Sequence, residues 1–396
     1  MIASHIREEG NVTVSRLRNI PGIGVDRMGD AADAAQNRNV LRLENLDTDL
    51  RPPVEALRST HQAVDDDNAN SYLPFTGQTA LRQAVVARMK QSTGLDYDAS
   101  SECIVSAGGL AGIFNVLLSI LEPGDEVVLT DPTYAGLINR VLLAGGVPRF
   151  ARLIPSADGW RLDVDSLASA VSPRTRAFLI MSPSMPSGFV ANAAEWNAIA
   201  DHCRRADAWL VYDAAMERIL FDGRRAIHPA ALPDMRARTF TVGSVSKEYR
   251  MIGWRVGWIV GPARIMSDVR LVSLSNVVCQ VGIGMPGATA ALTCTDDGVA
   301  QCVAEWQARR DFLLHALRDL PRVRPDGGWS LLIDTSHFGL APPDASRLLL
   351  DKGEVAATPM NGWGPQAQRY LRFVFANEPV ARLADIRERI RAAWGV

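Results

Sequence analysis

One lysine of the sequence has surroundings in which its amine could act as a nucleophile. Lys247 follows a serine-rich turn in the segment GSVSKEYRMIGWRVGW (243–258), between two apolar runs with the pattern of strands. An amine in that position should be partly removed from water, which lowers its pKa. A lysine with a lowered pKa can attack a carbonyl carbon and form a Schiff base. Arg255, eight residues later, adds a permanent positive charge to the same segment.

The same residues match a second motif with different chemistry. Ser244-Val245-Ser246-Lys247 fits S-x-x-K, the nucleophile signature of penicillin-recognising enzymes, which also require S-D-N and K-T-G strings. Neither string occurs in the sequence. We therefore favour a nucleophilic lysine, with an ordinary lysine at a strand end as the other interpretation of this segment.

A carboxylate and a guanidinium each lie at an apolar run. Asp213 ends the run WLVYD, 34 residues before Lys247, where an aspartate can also serve as a turn residue or helix cap. Arg372 lies within the run LRFVF. Since a buried unpaired guanidinium is costly, Arg372 should face a carboxylate, either of a ligand or in a structural salt bridge. Both residues are therefore candidate site residues.

A glycine pair precedes a helical pattern at Gly108-Gly109-Leu110. The exposed N–H groups at the start of a helix, together with the helix dipole, favour an anion such as a phosphate. Arg255 could pair with that charge and Ser244 could donate a hydrogen bond to it. A glycine pair is also common in tight turns, so this signal is weak by itself.

The elements that must position these residues alternate between helices and strands. From about residue 55 to 285, helical patterns such as 81–89 alternate with short apolar runs such as 126–130 and 209–212. Such runs are typical of strands that are buried on both faces of a mostly parallel sheet.

The last hundred residues have a different pattern. A long amphipathic helix is followed by two short strands and a final helix from about Ala381, which is typical of an α+β domain. We predict a large domain over residues 50–290 and a small domain formed by both chain ends, 1–49 and 291–396.

The composition excludes several classes of protein. The 396 residues are 47% hydrophobic, which excludes a disordered chain or a small disulfide scaffold. The net charge of −2 offers no general attraction to nucleic acid or to an anionic membrane, so the expected partners are small molecules. No apolar run reaches the roughly 18 residues of a membrane span.

Two features of the sequence favour a cytoplasmic protein. The N-terminus has no signal-like apolar stretch, and the five cysteines are scattered without a CxxC pair.

Six segments in a consistent order resemble the fold-type I pyridoxal-phosphate (PLP) enzymes of the class I/II aminotransferase family, to which aspartate aminotransferase belongs. The segments are SYLPFTGQTALR (71–82), SAGGLAGIFNVLLSILEPGDEVVLTDPTY (106–134), SPSMPSG (182–188), VYDAAMERILFDG (211–223), SVSKEYRMIGWRVG (244–257) and RYLRFVFA (369–376). The resemblance implies a three-layer α/β sandwich with a mostly parallel sheet, plus a smaller α+β domain.

The resemblance also implies roles for residues around the cofactor. Lys247 would hold PLP as an internal aldimine and later move the proton between the substrate and cofactor carbons. Asp213 would pair with the pyridine nitrogen, and Arg372 would bind the α-carboxylate of the substrate through two hydrogen bonds. The other implied cofactor contacts are Gly109, Leu110 through its backbone amide, Tyr134 stacking on the ring, Ser244, Arg255, and Tyr72 reaching the phosphate in the neighbouring subunit. Tyr72 therefore implies a homodimer, and no metal is implied.

Two positions depart from the family pattern. Met185 stands where the family usually has asparagine, and Met216 where it usually has tyrosine. Those family residues donate hydrogen bonds to the phenolic oxygen of the cofactor, and methionine has no donor to offer. We hypothesise that the internal aldimine has a higher pKa than in typical members, unless Ser182, Ser184 or water replaces the donors. Packing of the two methionines against each other is the alternative.

The resemblance implies an aminotransferase that moves an amino group from an L-amino acid to a 2-oxo acid through pyridoxamine phosphate. Because of the two methionines, the alternative function remains a PLP enzyme of the same fold that catalyses elimination, replacement, cyclisation or oxidation in specialised biosynthesis. Leu46 stands near a position that is commonly glycine, and no second arginine for a dicarboxylate side chain can be identified.

Two other classes are not favoured. A PLP-sensing half of a transcription regulator would need a DNA-binding domain, and the roughly 45 residues before the first motif are too few for one. A dinucleotide enzyme is not indicated, because the glycine cluster PGIGVDRMG (21–29) does not match G-x-G-x-x-G.

Overall fold

The computed structural model describes residues 14, 17, 20, 22–35 and 39–396. The predicted placement of residues 1–13 in the small domain lies outside the described residues, as does most of the segment on which the signal-sequence argument rests. Among the described helices, none combines the length and the apolar character that a bilayer span requires.

Helices and strands alternate along the first part of the chain, as the apolar periodicity predicts. In chain order they are α1 (Val25–Asp33), β1 (Leu41–Arg42), α2 (Val54–Val64), α3 (Thr79–Thr93), β2 (Cys103–Ser106), α4 (Gly109–Ile120), β3 (Glu126–Asp131), α5 (Ala135–Leu143), β4 (Val147–Ser156), β5 (Gly159–Leu162), α6 (Val164–Ala170), β6 (Thr175–Met181), α7 (Ala193–Arg205), β7 (Trp209–Asp213), β8 (Thr239–Ser244) and β9 (Gly257–Val260).

The elements after β9 begin with helices and continue with short strands. They are α8 (Ala263–Val277), α9 (Gly284–Thr293), α10 (Val299–Ala316), β10 (Arg322–Val323), β11 (Ser330–Asp334), α11 (Pro342–Gly353), β12 (Val355–Ala356), β13 (Thr358–Pro359), β14 (Tyr370–Val374), α12 (Val380–Leu383) and α13 (Ile386–Trp394). The predicted final helix is thus two consecutive helices, α12 and α13.

Eight strands form the large sheet in the order β2-β9-β8-β7-β6-β3-β4-β5. The pairs β8–β7, β7–β6, β6–β3 and β3–β4 are parallel, and the three outer pairs are antiparallel. Parallel strands need crossover connections, which here are the helices between them. The sheet is therefore mostly parallel, as predicted.

Alternate residues of the central strands contribute to cores on opposite faces of the large sheet. In β7, Val211 packs in one core with residues of α4, α5 and α8. Its neighbours Leu210 and Tyr212 belong to a second core that includes residues of α7 and of the small sheet. This burial on both faces explains the continuous apolar runs of the sequence and produces the three-layer arrangement.

A smaller antiparallel sheet, in the order β10-β11-β14-β13, is built from the last third of the chain. The short strand β1 pairs in parallel with β12, so a segment before residue 50 is joined to the C-terminal part. The predicted domain boundary after residue 290 falls inside α9, which continues to Thr293.

Candidate active site

A cavity of about 540 Å³ lies where the carboxyl ends of strands in the large sheet meet the small sheet. Ligands of open α/β sheets commonly bind outside the carboxyl ends of the strands. The cavity is lined by Ile23, Val25, Asp26, Asn45, Leu46, Gly109, Leu110, Tyr134, Met181, Met185, Asp213, Ala215, Met216, Ser244, Ser246, Lys247, Ile252, Arg255 and Arg372. Every predicted site residue except Tyr72 is among them.

Lys247 lies in the turn that follows β8, and its amine points into the cavity wall formed by the segment after β1. Its Nζ donates a hydrogen bond of 2.8 Å to the carbonyl oxygen of Leu46. It also lies 5.1 Å from the ring centre of Trp329. Burial lowers the pKa of Lys247 to about 7, so a substantial fraction of the amine is neutral at neutral pH and able to act as a nucleophile.

The sequence contains only three lysines, which makes the position of Lys247 informative. Lys90 is exposed and forms an ion pair of 2.7 Å with Asp96. Lys352 is exposed as well. Lys247 is therefore the lysine whose side chain lines the cavity.

Asp213 ends β7 and projects a carboxylate into the same cavity. Its Oδ1 accepts a hydrogen bond of 3.1 Å from the backbone N–H of Ala215, and the residue is 5% exposed. Burial raises the pKa of Asp213 to about 6, against the opposing charges of Arg140 and Lys247. At neutral pH the group is mostly an anion, and a buried anion of this kind favours a cationic ligand group beside it.

Another part of the cavity lining can hold an anion. Helix α4 begins at Gly109, and its N-cap Gly108 has a φ of 86°. A Cβ atom on Gly108 would lie 2.6 Å from Nη2 of Arg255, and one on Gly257 would lie 2.6 Å from the carbonyl carbon of Gly108. These glycines therefore let a guanidinium approach the N-terminus of α4, where the N–H groups without partners inside the helix face an anion.

Two serine hydroxyls lie beside this anion site. Ser244 Oγ accepts a hydrogen bond of 3.0 Å from the N–H of Ser246 and lies 2.8 Å from Ser246 Oγ. Arg255 Nη1 donates a long hydrogen bond of 3.4 Å to Ser246 Oγ and one of 2.8 Å to the carbonyl of Ile252. Sequence reasoning named Ser244 only, although Ser246 stands two residues away in the same motif.

Tyr134 lies at the start of α5 and forms one wall of the cavity. A Cβ atom on Gly136 would lie 2.4 Å from Cε1 of the tyrosine, so the ring depends on glycine at that position. The ring packs against Trp363 with centres 5.2 Å apart and planes tilted by 59°. A fixed aromatic face is thus available for a flat ligand.

Arg372 in β14 is fully buried and keeps spare donors for a ligand. Its Nη2 donates to the carbonyl oxygen of Glu44 and, at 3.3 Å, to Thr358 Oγ1. Its Nη1 lies 3.4 Å from Sδ of Met185, and its Nε has no partner. Burial lowers the pKa of Arg372 to about 10. Among the described residues no carboxylate pairs with it, so a structural salt bridge does not explain its burial.

Trp363 does not line the cavity but contacts residues that do, and the sequence analysis did not identify it. Its ring lies 4.8 Å from the guanidinium carbon of Arg372 and contacts Tyr134. Its indole N–H donates a hydrogen bond of 3.0 Å to the carbonyl of Ile23, which lines the cavity. A tryptophan between two glycines in NGWG was the available signal, but the three partners come from distant parts of the chain.

Met185 and Met216 are buried and both line the cavity. Among the described lining residues neither Ser182 nor Ser184 occurs. Ser182 Oγ accepts a hydrogen bond of 3.1 Å from the N–H of Ala191, and Ser184 Oγ is buried without a partner. Neither serine is therefore arranged as a substitute donor at the cavity surface.

The residues present fit PLP together with an amino acid. The N-terminus of α4 and Arg255 match a phosphate, Asp213 matches a protonated ring nitrogen, and Lys247 matches an aldehyde carbon. The unpaired Nε of Arg372 is a buried donor in need of an acceptor, which a carboxylate would supply.

Comparisons with known proteins agree with this arrangement. Residues 39–390 match the family described as aminotransferase class I and II. The arginine–pyruvate transaminase of Pseudomonas aeruginosa is 32% identical over 358 residues, which are 88% of this chain and 89% of that one. The probable N-succinyldiaminopimelate aminotransferase of Mycobacterium tuberculosis is 31% identical, with 96% of this chain and 99% of that one covered.

Solved structures of aminotransferases also superpose on this chain. The N-succinyldiaminopimelate aminotransferase of Mycobacterium tuberculosis superposes with a TM-score of 0.90 at 30% identity, covering 96% of this chain and 99% of that one. The aspartate aminotransferase of Thermus thermophilus with maleate gives 0.89 at 27% identity, covering 96% and 98%. The fold and the site thus define a fold-type I PLP-dependent enzyme.

The chain belongs to the class I and II aminotransferase family. It is an aminotransferase, and its family uses PLP as cofactor. The predictions of family, fold class, enzyme class and cofactor are confirmed.

Proposed function

We propose that this aminotransferase moves amino groups between an L-amino acid and a 2-oxo acid, with Lys247 as its reacting residue. The observation that supports this most is that four charged groups converge on one cavity. They are the amine of Lys247, the carboxylate of Asp213, and the guanidinium groups of Arg255 and Arg372. Each has a counterpart in a phosphorylated pyridine aldehyde bound next to an amino acid.

The cofactor would be held at three points. Arg255, the N–H groups of Gly109 and Leu110, and the hydroxyl of Ser244 would bind the phosphate, while the ring would stack on Tyr134. Asp213 would keep the ring nitrogen protonated by charge pairing. When bound there, PLP supplies an aldehyde that reacts with amines and a ring that takes up electron density from the α-carbon of the substrate.

Lys247 would work as the base and the acid of the reaction. With its pKa near 7, the neutral amine can take a proton at Nζ from the α-carbon of the substrate and release it again after rearrangement. The carbonyl of Leu46, at 2.8 Å, holds Nζ at one position on the cavity wall. A single group that stays over the reacting atoms avoids the loss of orientation that two separate groups would bring.

Arg372 would fix the direction of the substrate. The planar guanidinium has two pairs of donors that suit a bidentate contact with an α-carboxylate, Nη1 with Nη2 and Nε with Nη2. Nε has no partner and Nη1 contacts only the thioether of Met185, so donors of both pairs remain for a ligand. Two contacts at the carboxylate leave the amine and the α-carbon directed towards Lys247.

A homodimer completes the proposal, with Tyr72 acting in the site of the partner subunit. Tyr72 is 83% exposed. A Cβ atom on Gly282 would lie 1.9 Å from the carbonyl oxygen of Ala69, so the segment with Tyr72 packs against the one around Gly282. Both segments carry exposed apolar side chains, namely Tyr72, Phe75, Val278, Val281 and Ile283. An apolar patch of this kind is typical of an interface.

Mixed dimers test this arrangement. Subunits with Tyr72→Ala and subunits with Lys247→Ala should each be weakly active alone. Mixed, they form one site with an intact Lys247 and an intact Tyr72, so activity should return to about half of the wild-type value in the hybrid. Absence of any recovery in a proven hybrid would contradict a role for Tyr72 across the interface.

The compartment and the domain division are part of the same proposal. All five cysteines are free thiols, which supports a reducing compartment such as the cytoplasm. The separation of the large sheet from the smaller antiparallel sheet, together with the pairing of β1 with β12, supports a large domain from about residue 50 to 290 and a small one from both chain ends.

The half-reaction tests the proposed function. Purified protein loaded with PLP is mixed with single L-amino acids, and its absorbance is recorded. The yellow band should convert to the band of pyridoxamine phosphate and should return when a 2-oxo acid is added. Consumption of the amino acid with release of ammonia, or with uptake of oxygen, would contradict amino-group transfer.

A further inference from the structure

The part of the cavity that receives the substrate side chain can be located from backbone contacts. Arg372 Nη2 donates to the carbonyl of Glu44, and Lys247 Nζ donates to the carbonyl of Leu46. The segment 44–46 therefore runs between the group that would bind the α-carboxylate and the group that would react. Ile23 joins this region because its carbonyl is bound to the indole of Trp363, which covers Arg372.

The walls of this region are apolar except for Asn45, an exposed residue between Glu44 and Leu46 that also lines the cavity. Ile23, Val25, Leu46 and Met185 line it, and Leu46 occupies the space directly beside the reacting amine. The apolar surfaces favour contact with apolar side chains and offer no hydrogen-bond partner to a charged one, which leaves the neutral amide of Asn45 as the polar group of this region.

The charges on the cavity surface are already assigned. Among the described lining residues the cations are Lys247, Arg255 and Arg372, which have the roles of amine, phosphate partner and α-carboxylate partner. Among the described lining residues of one subunit, none is left for a second carboxylate of a substrate. The acidic residue at the rim, Asp26, would repel such a group.

A cationic side chain is not favoured by Asp26 either. This residue is exposed in the first turn of α1, and a single carboxylate in water contributes little to binding a charge. A long cationic side chain would also have to cross the apolar walls before reaching the rim. The apolar lining residues therefore determine the substrate class to a greater extent than the charge of Asp26 does.

We propose that the site takes L-amino acids with uncharged, apolar side chains, together with a 2-oxo acid that has a single carboxylate. This inference rests on the proposed function. The class of 2-oxo acid follows from the class of amino acid, because both half-reactions use the same cavity. The acceptor therefore contacts the same apolar walls and finds no additional cation for a second carboxylate.

A substrate panel with the PLP-loaded enzyme tests the inference. Leucine, methionine and phenylalanine represent the apolar class, aspartate and glutamate the acidic class, and arginine and lysine the basic class. The second-order rate of the half-reaction should be about 100-fold higher for the best apolar amino acid than for either charged class. In the return reaction, the second-order rate with pyruvate should exceed the rate with 2-oxoglutarate by a similar factor.

Asp26→Arg and a matched control examine the rim directly. A cation at position 26 should raise the rate with glutamate relative to leucine about tenfold, because it supplies the missing partner. Asp30→Arg, one turn later in the same helix at an exposed residue that does not line the cavity, should leave the ratio unchanged.

The outcomes are distinguishable. A wild-type preference for aspartate, glutamate, arginine or lysine would overturn the substrate class while leaving amino-group transfer intact. An unchanged ratio in Asp26→Arg would overturn the role given to the rim. If no amino acid of the panel converted a protein that visibly binds PLP, the proposed function itself would fail.

Discussion

Arg372 and Met185 lie side by side in the buried site, with Nη1 of the arginine 3.4 Å from Sδ of the methionine. A thioether is a weak acceptor and has no donor. Nη1 and the unpaired Nε of Arg372 therefore remain available to a ligand, and the cofactor pocket has no donor at position 185. Both consequences can be measured.

The first prediction concerns the basicity of the linkage between Lys247 and the cofactor. Met185→Asn restores a donor near the phenolic oxygen and should lower the pKa of that linkage by about one unit, since a hydrogen bond to the charged oxygen favours the deprotonated imine. Absorbance recorded against pH measures it. Met185→Leu, which adds no donor, is the control and should titrate like wild type; an equal shift in both variants would point to altered packing instead.

The second prediction concerns the α-carboxylate. Arg372→Leu removes two charge-assisted hydrogen bonds and should lower kcat/KM by about 100- to 1,000-fold, while the yellow band of bound PLP persists. The control is Arg369→Leu, a largely exposed residue whose ion pair with Asp334 contributes about 1 kcal/mol or less. Loss of cofactor binding in the Arg372 variant would show a structural role in place of substrate binding.

The third prediction concerns stability without cofactor. The pKa of Asp213 is about 6 in the folded protein and near 3.9 when unfolded, so the folded state binds the proton more tightly. The resulting stabilisation is present at low pH and is lost as the pH rises through 6. Asp213→Asn should therefore stabilise the cofactor-free protein by about 3 kcal/mol at pH 8, and by about half of that at pH 5.

Denaturant unfolding at the two pH values measures this effect. Asp207→Asn, at an exposed turn, is the matched control and should change little at either pH. The same Asp213→Asn variant should be severely impaired in catalysis, because a neutral amide cannot keep the ring nitrogen protonated. A variant that was less stable at pH 8 would contradict the burial argument.

The fourth prediction concerns the approach of Arg255 to the start of α4. Gly108→Ala places a Cβ 2.6 Å from Nη2 of Arg255 and should weaken PLP binding by about tenfold or more, as titration of the cofactor-free protein would reveal. Gly124→Ala has a similarly positive φ of 93° but no atom within 4 Å of the added Cβ. It should cost about 1 kcal/mol of stability and leave PLP affinity unchanged.

Much of the fold follows from local sequence patterns. Apolar runs ending in Asp213 and Ser244 predict strands whose carboxyl ends meet, and glycines at 108 and 109 predict the start of a helix near them. These features depend on neighbours in the chain, so periodicity and spacing are sufficient to find them. The position of Arg372 in an apolar strand likewise predicts a buried guanidinium.

The contacts within the site depend on distant residues and could not be predicted in the same way. Trp363 contacts Tyr134, Arg372 and Ile23, which are separated from one another by long stretches of chain. The carbonyl of Leu46 reaches Lys247 across 201 positions of sequence. No local pattern encodes such pairs, because they arise only when the small sheet meets the large one.

The residue that carries the cofactor can be identified by chemical trapping. The PLP-loaded protein is reduced with borohydride, digested and analysed by mass spectrometry. With only three lysines in the chain, the assignment has few alternatives. We expect the pyridoxyl mass on the peptide that contains Lys247 and none after Lys247→Ala. The same mass on Lys90 or Lys352, or an unchanged yellow band in Lys247→Ala, would contradict this assignment.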